Sequence, residues 1–233
     1  ASGRGGSVYV TVGSGDSGSG GDIVLMGGTS SFSAGGQIYL SGGTSSVNTG
    51  GRVLIQSGFS STQSSGVVGI QSADSGSGGV SGFVTMSSGV SSNGNSGGLY
   101  LGSGQSTVGR GGVVSVTVGS GDSGAGGDVL VSAGGSSDTL AGATGGQVYL
   151  SAGTSASQTG GRVFVTSGVS TSKSSGAVGV VSSDSGTDGV SGYLVLSSGS
   201  SLNGNSGAFY VGSGSSASGR GGSVYVTVGS GNS

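Results

Sequence analysis

The stretch Gly35-Gly36-Gln37-Ile38-Tyr39-Leu40-Ser41-Gly42-Gly43-Thr44-Ser45 contains a motif that repeats along the whole chain. An anchor glycine is followed two and four residues later by large apolar side chains, and seven residues later by a corner residue that is usually glycine. The anchors are Gly6, Gly21, Gly36, Gly51, Gly66, Gly82, Gly97, Gly112, Gly127, Gly146, Gly161, Gly176, Gly192, Gly207 and Gly222. Since alternate residues of a strand face the same side, the motif predicts one short strand per repeat.

A period near 15 residues is typical of a stacked repeat architecture. The sequence therefore predicts an all-β, single-chain β-solenoid (parallel β-helix) of about 15 turns, with a second short strand in the Ser-rich half of each turn and a third left open. Glycine is expected at the corners for a positive φ or for close backbone approach. The predicted core ladder consists of the apolar pairs, among them Val8, Val10, Ile23, Leu25, Ile38, Leu40, Val53, Ile55, Val148, Leu150, Val163 and Val165.

The composition alone is typical of a linker or a disordered chain, since 61 of 233 residues are Gly and only 6% are charged. The unbroken apolar pairs favour order instead. The chain has no Cys, which excludes disulfides and thiolate metal sites. Its six cationic side chains are dispersed and its net charge is −2, so we expect no nucleic-acid partner. No apolar run is long enough to predict insertion into a membrane.

A longer period overlies the short one. Seven repeats form a super-repeat, with the first copy at about 4–109, the second at about 110–219 and the start of a third at about 220–233, all within one continuous segment, 1–233. A 16-residue repeat falls at Asp74 to Val80 and again at Asp184 to Val190, and four extra residues near Ser136 to Ala143 distinguish the second copy. Residues 1–17 recur at 217–233 with one difference. This recurrence, without visible capping repeats, suggests a window of a longer repetitive protein or a unit that associates head to tail.

The residue between the two members of each apolar pair is expected to point outward, yet it is often aromatic. Six of the seven tyrosines occupy this position: Tyr9, Tyr39, Tyr100, Tyr149, Tyr210 and Tyr225. One interpretation is strand propensity and stacking along a ladder. The other is a lateral contact face for a neighbouring rod, a second layer or a glycan.

Candidate chemistry is sparse. Aspartates lie near Gly-rich segments, as in Gly15-Asp16-Ser17-Gly18, but no carboxylate column recurs, which favours turn formation over calcium binding. Without His, Cys or Glu, the usual catalytic constellations cannot be assembled, so we expect no enzyme activity, no metal site and no cofactor. Ser and Thr side chains permit O-linked glycans.

The string GGQIYLSGGTSSVNTGGRVLIQSGFSS at 35–61 resembles the Gly/Ser-rich repeats of very large extracellular surface and wall-associated proteins of algae and water moulds. The resemblance implies an extracellular or cell-surface fibrous component, in which this segment is a structural shaft. Self-association, head to tail or lateral, is the expected partnership. The alternative is a surface adhesin or ice-binding module that presents a flat face, which a uniform array of outward residues would favour.

Overall fold

The predicted β-solenoid is wrong. The computed structural model describes Gly3, residues 5–137 and residues 144–231, and within these ranges the chain forms no helix and no β-strand. The repeats carry extended segments without ladder hydrogen bonds between them. The chain divides into two units, Ala1–Ser115 and Val116–Ser233.

Each unit nevertheless keeps a regular local structure. The chain bends once in each repeat, at intervals of 15 or 16 residues wherever consecutive bends are described. In the first unit the bends lie at 16–18, 31–33, 46–48, 61–63, 77–79, 92–94 and 107–109, and in the second at 122–124, 156–158, 171–173, 187–189, 202–204 and 217–219. The four extra residues of the second copy, near Ser136 to Ala143, lie mostly outside the described residues. The period read from the sequence therefore corresponds to a recurring loop.

No hydrophobic residue is buried in the described part of the chain. The accessible surface is 23011 Å². A compact monomer of the same mass would expose about 9,100 Å². The core ladder predicted from the apolar pairs is consequently absent as a buried layer, and these side chains remain available to other molecules.

The absence of a ladder has a physical cause in the composition of the Ser-rich half-repeat. A stacked turn needs side chains on its return segment to cover the apolar pair, and here that segment offers mostly Gly and Ser. Fixing glycine in an extended conformation also costs more entropy than fixing other residues. Short loops, most of nine residues, close at a smaller entropic cost than contacts between repeats, and the backbone groups of their terminal glycines form the closing bond.

Candidate functional site

Eight loops are each closed by one backbone hydrogen bond from an anchor glycine to the preceding corner glycine. In the first unit the N–H of Gly21, Gly36, Gly51 and Gly66 donates to the carbonyl of Gly13, Gly28, Gly43 and Gly58, at N···O distances of 3.2, 2.7, 2.8 and 3.0 Å. In the second unit Gly127, Gly146, Gly161 and Gly176 donate to Gly119, Gly134, Gly153 and Gly168, at 3.2, 2.8, 2.9 and 2.9 Å. These are ordinary backbone hydrogen-bond lengths. We call these eight elements the closed loops.

The residue immediately before the corner glycine correlates with the length of the closing bond. Where it is Gly27 or Gly42 the N···O distance is 2.7 or 2.8 Å, and where it is Val12 or Val118 the distance is 3.2 Å. Alanine and serine at this position accompany intermediate distances, 2.8 to 3.0 Å. Within the closed loops, valine before the corner therefore accompanies the longest closing bond. Four described 15-residue repeats with serine at the same position, Ser88, Ser103, Ser198 and Ser213, have no closing bond.

The crowding at the closure is visible in the space around individual glycines. A Cβ on Gly36 would lie 2.8 Å from the amide nitrogen of Gly28, and one on Gly27 would lie 2.5 Å from the carbonyl oxygen of Gly36. A Cβ on the corner glycines Gly28 and Gly43 would meet nothing within 4 Å. Close approach of the backbone therefore explains glycine at the anchor Gly36 and at Gly27 before the corner. At the corners Gly28 and Gly43 the expected close approach is not seen.

A positive φ is not the reason for the corner glycines either. Among the described residues a positive φ occurs at Gly109, where it is 147°, at the end of the bend 107–109. Gly94 and Gly204 end the equivalent bends without a positive φ. The left-handed conformation is thus a local property of one bend.

A serine two residues after the corner organises the loop interior. The Ser45 hydroxyl accepts the amide of Asn48 at 2.9 Å, and the Ser170 hydroxyl accepts the amide of Lys173 at 2.9 Å. The same three-residue pattern recurs from Ser30, Ser60, Ser155, Ser201 and Ser216. Such serine turns satisfy a backbone donor locally and compete with ladder formation.

Two loops replace this serine by glycine. A Cβ on Gly15 would lie 2.5 Å from the carbonyl oxygen of Gly18, and one on Gly121 would lie 2.8 Å from the carbonyl oxygens of Gly124 and Ala125. These loops fold more tightly onto their own backbone. Their aspartates, Asp16 and Asp122, lie in the bends that result, as a role in turn formation predicts.

The two 16-residue repeats have a different turn. Gly79 donates its amide to the carbonyl of Gly76 at 3.3 Å, and Gly189 donates to Gly186 at 3.4 Å, which is the spacing of a β-turn. No backbone bond joins the anchors Gly82 and Gly192 to the preceding corner, in the part of the chain that the structure describes. The extra residue therefore accompanies a tight turn. The missing closure is not specific to these repeats, since no backbone bond is seen from the described anchors Gly97, Gly112, Gly207 and Gly222 to their corners either.

The least exposed residues lie close to the corner of their repeat. They are Gly27, Gly42, Ser57, Ser72 and Ala152, immediately before the corner, and Ser60 and Ser170, two residues after it, among the described positions. Closure also partly covers a neighbouring side chain, since Val12 is 48% exposed beside Gly21. Sequence reasoning missed the small residues near the corners because they give no hydrophobic signal, although their fixed places before and after the corner are visible in the repeat.

The predicted apolar pairs lie on the surface with a consistent difference between positions. The first member of each pair is 48–61% exposed in fourteen repeats, and Val8 is 90% exposed. The outward tyrosines Tyr9, Tyr39, Tyr100, Tyr149, Tyr210 and Tyr225 are 83–93% exposed. The second members of the pairs are 56–89% exposed, so the lower exposure is a property of the first member alone, and neither side is buried.

Two of the outward tyrosines have a side-chain partner on their own segment. The Tyr39 hydroxyl donates to Gln37 Oε1, and the Tyr149 hydroxyl donates to Gln147 Oε1. Because the partners are two residues apart, they lie on the same side of the extended segment. This pairing leaves the aromatic rings exposed.

Metal-binding groups, pockets and membrane-spanning helices were also sought among the described residues. The described residues contain no group of His, Cys, Asp or Glu that could hold a metal ion, and they enclose no pocket. Within the same ranges there is no helix of the length and hydrophobicity needed to cross a bilayer. No protein-family model, curated protein or solved structure matches the chain.

Proposed function

We propose that the chain is a structural segment of an extracellular or cell-surface fibre, and that its exposed apolar rows are buried by association with other copies of the same chain. The observation that supports this proposal is the accessible surface of 23011 Å², with no hydrophobic residue buried among the described positions. The large number of exposed apolar side chains favours association in water, because removing apolar surface from solvent stabilises the associated state.

The repeat makes a second copy a suitable partner. Two chains with the same 15-residue spacing can bring their apolar pairs and tyrosines into contact at every repeat once one repeat is aligned. The net charge of −2 over 233 residues offers little electrostatic repulsion between copies. The extracellular location rests on the resemblance to surface and wall-associated repeats.

The outward tyrosines are proposed as the principal lateral contacts. Their rings are rigid and largely exposed, so burying one removes a large apolar area at a small cost in side-chain entropy. The Gln–Tyr pairs on the segments at Tyr39 and Tyr149 hold two of these rings in place before association. Glycans on Ser or Thr are compatible with this arrangement, since these side chains are exposed at most positions.

The experiment is a comparison of association in two triple variants. In the first, Tyr39, Tyr149 and Tyr210 are replaced by Ser. In the control, Phe32, Phe59 and Phe83 are replaced by Ser, which removes the same number of exposed aromatic rings from positions outside the tyrosine row. Analytical ultracentrifugation across a concentration series measures the association constant of each.

We expect the tyrosine variant to associate at least tenfold more weakly than the unsubstituted chain and the phenylalanine variant to be weakened much less. Equal loss in both variants would show that exposed aromatic area, wherever it lies, drives association and would contradict the tyrosine row as the contact. A chain that remains monomeric at every concentration would overturn the proposed function.

A further inference from the structure

The closed loops divide the chain into short connected elements, each with its ends held together. In the loop from Gly28 to Gly36, eight residue steps lie between two residues that are joined by a backbone hydrogen bond of 2.7 Å. The same arrangement occurs in seven further loops, one of which, from Gly134 to Gly146, spans twelve steps. Each of the eight loops therefore spans a shorter distance than the same residues would span if extended.

We propose that the closed loops are an extensible element, which stores chain length at rest and releases it under tension. The inference goes beyond the proposed structural role, because it assigns the loops a mechanical function that does not depend on association between chains. It follows from the closure geometry and from the position of the loops in series along the backbone.

The stored length can be estimated from backbone dimensions. Eight extended residue steps span about 27 Å, whereas residues joined across a backbone hydrogen bond lie about 5 Å apart. Opening one such loop therefore adds about 22 Å of contour length, and opening all eight adds roughly 190 Å.

Each loop is closed by few interactions, which suits release at low force. The loop from Gly43 to Gly51 is joined by one backbone hydrogen bond, and the Ser45 turn inside it bonds only residues of the loop. No buried hydrophobic residue reinforces the closure in the described part of the chain. The loops can therefore open one at a time, because no shared core links them.

Reclosure is favoured by the small number of residues in each loop. The entropic cost of bringing the ends together is low for a short loop, and it is paid separately by each one. The serine turn bends the chain within the loop and keeps part of the closed conformation while the ends are apart. The extension is accordingly reversible.

The test uses a matched pair of variants in the full chain, stretched between its termini in optical tweezers. In the loop variant, Gly36→Ala and Gly51→Ala place a Cβ 2.8 Å from the amide nitrogen of the corner glycine, which prevents closure of two loops. In the control, Gly28→Ala and Gly43→Ala place a Cβ in open space in the same two loops. Both carry two Gly→Ala changes, so effects of alanine on the open chain are matched.

We expect the loop variant to release about 45 Å less contour length than the unsubstituted chain, because two loops of about 22 Å are already open. The control is expected to release the same length as the unsubstituted chain. The hydrogen exchange rate of the residue 36 amide, measured by NMR on the same samples, shows independently that this loop is open in the loop variant.

Superimposable force–extension curves for the unsubstituted chain and the loop variant, with the residue 36 amide exchanging faster in the variant, would overturn the proposal. An equal loss of released length in the control would also overturn it, because the length would then depend on alanine content. Since the stretched molecule is a single chain, neither result bears on lateral association, and failure here is distinguishable from failure of the proposed function.

Discussion

The size of the residue before each corner glycine should control how tightly its loop closes. At Gly27 the closing bond of the following loop, from Gly36 N–H to Gly28 C=O, is 2.7 Å long. Among the closed loops, those with alanine at this position close at 2.8 and 2.9 Å, those with serine at 3.0 and 2.9 Å, and those with valine at 3.2 Å, whereas the described repeats with Ser88, Ser103, Ser198 and Ser213 there have no closing bond. Replacing Gly27 by Ala, Ser and Val in turn should reproduce this series within one loop.

The magnitude follows from the bond and the contact. A Cβ on residue 27 would lie 2.5 Å from the Gly36 carbonyl oxygen, so the loop ends must separate to admit it. The valine variant should reach the 3.2 Å seen at Val12 and Val118, which is the upper end of the normal range. If this removes between about half and all of a hydrogen bond worth about 1 kcal/mol, the closed-to-open ratio falls roughly two- to fivefold.

The assay is amide proton exchange at Gly36, measured by NMR on dilute chain. We expect exchange to accelerate in the order Ala, Ser, Val, with the Gly36 amide proton moving upfield as its bond lengthens. Gly28→Ala serves as the control, since its Cβ meets nothing within 4 Å, and it should leave Gly36 exchange unchanged. Equal exchange in the Ala and Val variants would refute the reasoning.

Three further predictions concern single side chains. Ser45→Ala should remove the serine turn and speed exchange of the Asn48 amide, because a hydrogen bond worth about 1 kcal/mol is lost. Ser46→Ala is the neutral control. An unchanged exchange rate of the Asn48 amide in the Ser45→Ala variant would contradict the turn. Gly109→Ala should disfavour its bend by about 1–3 kcal/mol, because φ at this residue is 147°. The backbone NMR resonances of 107–109 should therefore shift more in this variant than those of 92–94 shift in the control, Gly94→Ala. Tyr39→Phe should remove the hydroxyl bond to Gln37 yet retain most association, as measured by ultracentrifugation, because the ring supplies the contact area.

The sequence predicted the spacing of the repeating structure but not that the repeats would remain unstacked. The spacing of the anchor glycines is also the spacing of the bends, although the bends lie ten to thirteen residues past the anchor and not at the corner predicted seven residues past it. The first member of each apolar pair is less exposed than the outward tyrosines in fourteen repeats. Both properties are local, since they depend on the conformation of a few successive residues. The tyrosine row, the self-association and the extracellular location remain predictions.

The stacking of repeats could not be read from the motif, because it depends on what the return segment supplies. The pair Ile38 and Leu40 would need apolar partners from neighbouring repeats and from the Ser-rich half of its own turn. That half closes on itself instead, through the Gly51–Gly43 bond and the Ser45 turn. Apolar periodicity identifies side chains that can form a core. Whether a core forms depends also on the small residues, because backbone groups that bond within a loop are not available for a ladder between repeats.

Residue-by-residue amide hydrogen exchange of the dilute chain tests the central claim, that the described part of this chain forms glycine-closed loops and has no buried core. The account predicts weak protection confined to the amides of the closed loops, led by Gly36 and Gly51, and rapid exchange along the apolar segments such as 37–41. Strong, continuous protection of those apolar segments would contradict it, because such protection requires laddered strands around a buried core.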